Sequence, residues 1–103
     1  EVDAGIGGEA AVAVGEALAE IAERHQVLVV THLAQVAANA RQHLRVHKSV
    51  RKGATFAGVS ELTGTDQVGE IARMLSGATD DPAAIAHATS LLEARRRRKQ
   101  AAR

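Results

Sequence analysis

The chain has 103 residues, a formal net charge of +1, no cysteine and a single aromatic residue, Phe56. A chain of this length forms one small domain at most, and the absence of cysteine excludes a disulfide framework and a thiolate metal site. No apolar run approaches the ~20 residues of a membrane span, and no signal peptide is visible. We therefore expect a cytoplasmic protein, and the first residue, Glu1, predicts that a preceding segment has been removed or was not included.

Charge is distributed unevenly along the chain. Residues 1–94 contain all twelve acidic residues and seven basic ones, whereas residues 95–103 contain six basic residues and no acidic one. An acidic body followed by a basic tail is typical of proteins whose tail meets a polyanion or simply remains solvated.

The first part of the chain predicts a helix, a strand and a short helix. Apolar residues recur at helical spacing across residues 9–24, at Val14, Leu18 and Ile21, with glutamates on the opposite side. Residues 27–30 are uninterrupted apolar residues, mostly β-branched, as in a strand of a parallel sheet that is covered on both faces. A short helical segment follows at residues 33–40.

The middle of the chain predicts a β-hairpin. Leu44, Val46 and Val50 alternate with polar residues, residues 51–53 form a turn, and a second strand covers residues 55–60.

Two helices are predicted at the end. Thr65 or Asp66 caps the first, and Gly77 ends it. Asp81 and Pro82 start the second, which runs into the basic tail. The predicted buried positions are Val68, Ile71, Ala72 and Leu75 in the first helix, and Ile85, Ala88 and Leu92 in the second.

The glycines near the start have two interpretations. Gly5, Gly7 and Ala10 fit the relaxed dinucleotide fingerprint G-x-G-x-x-A, which would cradle a phosphate and make this a small dinucleotide-binding domain. That fingerprint needs an acidic residue after the next strand, where this chain has Thr31 and His32. A plain glycine turn between a strand and a helix is the alternative.

Three polar residues stand at the carboxyl ends of predicted strands. Glu1 and Asp3 precede the glycines, and His32 follows residues 27–30. Strand ends are where open α/β sheets bind ligands, and a carboxylate that orients water beside a histidine at a phosphoryl oxygen suits phosphate ester hydrolysis. In the alternative interpretation, Glu1 is a solvated terminal residue, Asp3 is a turn residue and His32 is a helix cap.

The stretches EVDAGIGG, VLVVTHLAQVAANA, EIARMLSG and AIAHATSLLEA resemble the carboxyl-terminal part of the RecN family of bacterial DNA-repair ATPases. These are relatives of the SMC proteins with an ABC-type ATPase head. The resemblance implies an α/β fold, the C-terminal lobe of a P-loop (ABC/SMC-type) head truncated before the Walker B aspartate, with two C-terminal helices. Residues 1–94 would be the head segment and residues 95–103 a basic helical tail.

The resemblance also implies roles for individual residues. Glu1 would be the catalytic glutamate that polarises the attacking water, and His32 the switch histidine that reaches the γ-phosphate. Asp3, Gly5, Gly7 and Gly8 would belong to the D-loop, which lies against a second head across the ATP site. On this interpretation the glycines form a head-to-head contact loop and do not cradle a phosphate.

Departures from the family pattern limit what this chain does alone. It has no Walker A stretch, no signature loop and no aspartate before Glu1, and Ala34 stands where relatives often have proline. We expect ATP and Mg²⁺ to bind the intact parent and no cofactor to bind this chain by itself. The implied partners are the missing amino-terminal half of the head, a second head in a homodimer and DNA, in a nucleoid-associated cytoplasmic protein that contacts no membrane.

Two further features concern metal binding and nucleic-acid binding. His25, His43, His47 and His87 have no spacing that would gather metal ligands, so no metal site is predicted. The basic tail, in contrast, is the electrostatic footprint of nucleic-acid binding, and a non-catalytic nucleic-acid-binding module is the alternative function.

Overall fold

A computed structural model describes residues 7–101, which form an α/β arrangement of four helices and one hairpin. The elements in chain order are α1 (Gly8–Ile21), α2 (Ala34–Ala37), β1 (His43–Arg51), β2 (Ala54–Leu62), α3 (Gly64–Ser76) and α4 (Pro82–Ala101). The predicted element order is confirmed for the first helix, the hairpin and the two final helices. The short second helix is confirmed with narrower bounds.

The predicted strand at residues 27–30 is wrong for this structure. The segment has no regular secondary structure, and Leu28 and Val30 are 87% and 72% exposed. A strand exists only where a neighbouring backbone satisfies its amides and carbonyls, and β1 and β2 pair only with each other among the described residues. Glu1 and Val2 would be the end of a truncated strand before the glycines, and they lie outside the described residues.

Helix α1 packs on α2 through its smallest residues. Ala11 and Gly15 are the buried positions of α1, whereas Val14 and Leu18 are half-buried and Ile21 is 50% exposed. The predicted apolar stripe is therefore shifted around the helix, because the close approach of the two backbones selects residues without a bulky side chain.

The hairpin has a regular register and a tight turn. Its strands are antiparallel, with Val46 opposite Val59 and Arg51 opposite Ala54. Lys52 and Gly53 connect them with φ of 50° and 77°. Positive φ at both central residues is the type I′ geometry whose twist matches that of the strands, so the Lys-Gly pair sets the register.

Helices α3 and α4 begin and end at recognisable residues. Helix α3 has Thr63 at its N-cap, earlier than the predicted Thr65 or Asp66, and Asp66 lies in the first turn. An acidic side chain stabilises a helix from any position in its first turn, so Asp66 alone does not identify which residue is the N-cap. Gly77 ends α3 with φ of 83° as predicted, and Asp81 Oδ1 accepts a hydrogen bond from Ala83 N at 3.0 Å at the start of α4.

The core lies where α2, α3 and α4 meet. Its largest fully buried side chain is Ile71, and half-buried side chains, Leu92 among them, close it. On α4 the buried positions are Ala84 and Ala88, so the prediction of Ala88 is confirmed and that of Ile85, which is 36% exposed, is wrong. The buried residues of the cluster are Ala34, Ala37, Ala38, Ile71, Ala72, Ala84 and Ala88.

One face of the hairpin remains uncovered. Leu44, Val46, Val50 and Val59 share that face by register, and each is between 45% and 71% exposed. The alternation that predicted the strands is thus confirmed, but the apolar side faces outward. Within residues 7–101, no helix is long and apolar enough to cross a membrane.

Candidate functional site

The structure describes only part of the site that the sequence predicts. Glu1, Asp3 and Gly5 lie outside the described residues. Gly7 is the extended N-cap residue of α1, and Gly8 is its first residue with φ of 53°, in the left-handed region that glycine enters without a steric penalty. Both glycines are exposed. The chain therefore enters α1 through a backbone conformation that favours glycine at position 8.

His32 lies in a short turn before α2. Leu33 N donates a hydrogen bond to Thr31 Oγ1 at 2.9 Å, and this side-chain contact fixes the backbone on both sides of His32. The His32 side chain is exposed. Two residues later α2 begins at Ala34, so the imidazole is carried on an ordered turn at the amino-terminal end of a helix.

A close helix contact links the two elements that carry these residues. A Cβ atom added at Gly15 would lie 2.5 Å from Asn39 Nδ2, 2.8 Å from Gln35 O and 3.3 Å from Val36 Cα. Asn39 Nδ2 in turn donates to Gln35 O at 2.8 Å. Because α1 begins at Gly8 and α2 follows His32, this contact fixes the helix that starts at the glycines against the helix that follows the histidine.

A basic side chain from α4 reinforces the same junction. Arg98 Nη1 donates to Glu16 Oε1 at 3.1 Å, and Arg98 Nη2 donates to Asn39 Oδ1. One residue of the predicted basic tail therefore bridges α4, α1 and the end of α2. Helix α4 is continuous from Pro82 to Ala101, so this part of the tail is an extension of the final helix.

A buried carboxylate joins the hairpin to α3, and the sequence reasoning missed it. Glu70 is 6% exposed, and Arg73 Nε donates to its two carboxylate oxygens at 2.9 and 3.1 Å. From β1, Arg45 Nε lies 3.3 Å from Glu70 Oε2. The spacing of Glu70 and Arg73, three residues apart on a helix, was the available signal, but no sequence pattern identifies Arg45 as the third member.

The protonation of this cluster is set by burial and charge together. Burial raises the pKa of Glu70, but the hydrogen bond from Arg73 and the charges of Arg73, Arg45 and His43 outweigh it, so that the pKa lies below its usual value. Burial lowers the pKa of His43, and the charge of Glu70 opposes this only in part. His43 Nδ1 is buried and has no hydrogen-bond partner within residues 7–101. The cluster is a structural joint with one unsatisfied nitrogen.

The described residues do not gather metal ligands. No group of three or more histidine, aspartate or glutamate side chains lies close enough to hold a metal ion within residues 7–101. We assign no residue of this part of the chain to magnesium.

Comparison with known proteins finds several relatives that share one name. No family model matches the chain. It is 58% identical over 92 residues to DNA repair protein RecN of Deinococcus radiodurans, 55% identical over 93 residues to that of Mycobacterium tuberculosis, and 51% identical over 96 residues to that of Streptomyces coelicolor. These matches cover 89%, 90% and 93% of this chain.

The matches cover a much smaller share of the relatives. The chain spans only 16% to 17% of the length of these three proteins. Identities above 50% across nearly the whole chain confirm the resemblance stated from the sequence, and the small share agrees with a carboxyl-terminal fragment. The chain is therefore homologous to a segment of the DNA repair proteins named RecN.

Proposed function

We propose that this segment supplies the catalytic glutamate, the head-dimer contact loop and the switch histidine to ATP hydrolysis by a RecN-type protein. Glu1 would orient and polarise the attacking water, and His32 would contact an oxygen of the γ-phosphate. Asp3, Gly5, Gly7 and Gly8 would lie against a second head. The intact protein would couple this hydrolysis to recombinational repair of DNA double-strand breaks.

The observation that carries the proposal is the 58% identity over 92 residues to a protein named for DNA repair. The geometry is compatible with it at the described positions Gly7, Gly8 and His32. His32 is exposed on an ordered turn. Gly8 is exposed and has positive φ, which suits a loop whose backbone approaches another surface closely.

ATP would depend on parts of the protein beyond this segment. The chain contains no Walker A stretch, so the backbone amides and the lysine that hold the β- and γ-phosphates must come from elsewhere. In the family pattern, the aspartate that helps to hold magnesium precedes Glu1, so it would also come from outside this segment. The contribution of this segment would be limited to orienting water, contacting the γ-phosphate and closing the dimer.

The test is steady-state ATP hydrolysis by the full-length protein that contains this segment. Glu1→Gln should lower kcat by about 100-fold or more while ATP still binds, because general-base catalysis contributes roughly 10² to 10⁴ in rate. His32→Ala should lower kcat by about 10² to 10³, the typical effect of removing one group that stabilises developing charge.

Two matched controls separate these roles from general damage. Glu9→Gln removes an exposed carboxylate in the first turn of α1, and His25→Ala removes an exposed histidine after α1. Both should keep kcat within about twofold. Full activity in Glu1→Gln or His32→Ala would overturn the assigned role of that residue.

The isolated chain provides a second test, which concerns the glycines. We expect no calorimetric signal with magnesium ATP or with NAD, because the phosphate-binding half is absent from this sequence. Saturable binding of either ligand would favour the phosphate-cradling interpretation of Gly5 and Gly7 and count against the contact-loop role.

A further inference from the structure

A groove of about 560 Å³ lies between the first half of α3 and the second half of α4. The α4 wall presents Arg95, Arg96 and Lys99, and the α3 wall presents Thr65 and Gln67. Arg96 and Lys99 are exposed and Arg95 is half-buried. Positive charge is therefore concentrated along one wall, opposite two neutral hydrogen-bonding side chains.

The charge of this wall is poorly neutralised. None of the three cations forms an ion pair within residues 7–101, and Glu93 is the only acidic residue among those that line the groove. Burial lowers the pKa of Arg95, and the neighbouring charges of Arg41, Arg96 and Arg98 lower it further. Crowded cations without counter-charges favour the binding of an anion.

Arg98, on the same helix, shows what a structural cation looks like in this molecule. Its guanidinium donates to Glu16 at 3.1 Å and to Asn39, so its hydrogen bonds hold α4 on the rest of the fold. Arg96 and Lys99 have no comparable partner within the described residues. The packing of α4 therefore does not account for the charges that line the groove.

We propose that this groove binds the phosphodiester backbone of nucleic acid through Arg95, Arg96 and Lys99. Guanidinium groups donate two parallel hydrogen bonds to a phosphate, and the ammonium acts as a point charge. Thr65 and Gln67 supply the neutral contacts that commonly position a backbone. This binding goes beyond the proposed ATP hydrolysis and does not depend on it.

The chemistry of α4 favours a phosphate backbone over a lipid surface. Residues 95–100 read RRRRKQ and contain no apolar residue, whereas an interfacial helix needs an apolar face to enter the headgroup region. Arg95 and Lys99 are separated by about 6 Å along the helix axis, from a rise of 1.5 Å per residue. Two cations this close on one face of a helix can contact neighbouring phosphates of the same strand.

The composition also indicates how the nucleic acid would be read. The single aromatic residue of the chain, Phe56, lies on β2, so no aromatic ring lines the groove to stack on unpaired bases. Contacts to phosphates alone carry no sequence information. We expect binding to be independent of sequence and strongly dependent on salt.

The test is fluorescence anisotropy of a labelled 30-base-pair DNA duplex with the full-length protein, without nucleotide, over a range of salt concentrations. Arg96→Ala should weaken binding about eightfold at 0.1 M salt and reduce the salt slope by about 0.9, the effect of one lost phosphate contact. Arg96→Ala with Lys99→Ala should reduce the slope by about twice that amount.

Arg97→Ala is the matched control, because Arg97 is exposed on the same helix, carries the same charge and does not line the groove. It should change the affinity by less than about twofold. Equal losses for Arg96→Ala and Arg97→Ala, or an unchanged slope in the double variant, would overturn the proposal. The proposal would also be overturned if Arg96→Ala lost binding to phosphatidylserine vesicles or to a polyglutamate peptide while its binding to the duplex stayed unchanged.

These outcomes are separate from those of the proposed hydrolysis. Glu1→Gln should bind the duplex normally in the absence of nucleotide, and Arg96→Ala should retain its basal ATPase rate without DNA. Unchanged far-ultraviolet circular dichroism confirms that each variant is folded, and alanine at these helical positions favours the helix.

Discussion

Apolar residues are buried in the helical part of the molecule but exposed on one face of the hairpin. Where α2, α3 and α4 meet, Ile71 is fully buried. On the hairpin, Val46 is 69% exposed on a face shared with three other large apolar residues. The contrast indicates that stability resides in the helices, whereas the hairpin is linked to them through Arg45 and Glu70 and buries little apolar area of its own.

The largest effect expected from this contrast is at Ile71. Ile71→Ala should lower the free energy of unfolding by about 2 to 5 kcal/mol, because it removes buried area and leaves a cavity. Val46→Thr, which keeps β-branching at an exposed position, should change it by no more than about 0.5 kcal/mol. Urea denaturation followed by circular dichroism measures both.

Similar losses at the two positions would mean that the hairpin face is covered in solution. Ile71→Val provides a milder change if Ile71→Ala fails to fold, and it should cost about 0.5 to 1.5 kcal/mol.

A smaller effect, with opposite signs at two glycines, tests how closely the helices pack. Gly15→Ala should destabilise the fold by about 1 to 3 kcal/mol, because its Cβ would approach Asn39 and Gln35 too closely for normal contact. Gly69→Ala lies within α3 with no atom within 4 Å of the new Cβ. It should stabilise the fold by up to about 1 kcal/mol through helix propensity. A loss of stability in both variants would show that helix propensity is not the deciding term.

The smallest effect concerns the joint between the two regions and depends on pH. The pKa of His43 is lowered by burial, so the folded state binds fewer protons than the unfolded state below the ordinary value of 6.5. Stability should be full above that value and decrease as pH falls through the lowered pKa. The lowered pKa of Glu70 adds a second loss, which begins near its ordinary value of 4.5 and continues below it.

His43→Asn should flatten the first of these two losses when urea midpoints are compared at pH 7.5 and 5.5. His87→Gln, at an exposed position on α4, is the control and should leave the slope as in the parent chain. A slope that persists in His43→Asn would assign the proton uptake to another group.

The sequence predicted best those features that local chemistry determines. Alternating residues and the turn at Lys52 and Gly53 identified the hairpin, because positive φ is required within a few residues of that point. Gly77 identified the end of α3 for the same reason. The stretches of sequence that resemble the RecN family identified the relatives.

Features that depend on distant neighbours were predicted less well. A run of apolar residues at 27–30 has the composition of a buried strand, but it lacks a partner strand among the described residues. The spacing of apolar residues predicted that Ile85 is buried, yet Ala84 is the buried residue, because the facing helix approaches closely enough to favour the smaller side chain. The joint of Glu70 with Arg45 spans 25 positions of the sequence, and no periodic pattern reports such a pair.

The alanine-rich core has a consequence for the cost of folding. Of the seven clustered core residues, all except Ile71 are alanine, and alanine has no side-chain rotamers to lose when it is buried. Each buried alanine gains little apolar area but gives up almost no conformational entropy of its side chain. The core thus gains rigidity from backbones in close contact, and any larger side chain at these positions would separate the helices that alanine allows to touch.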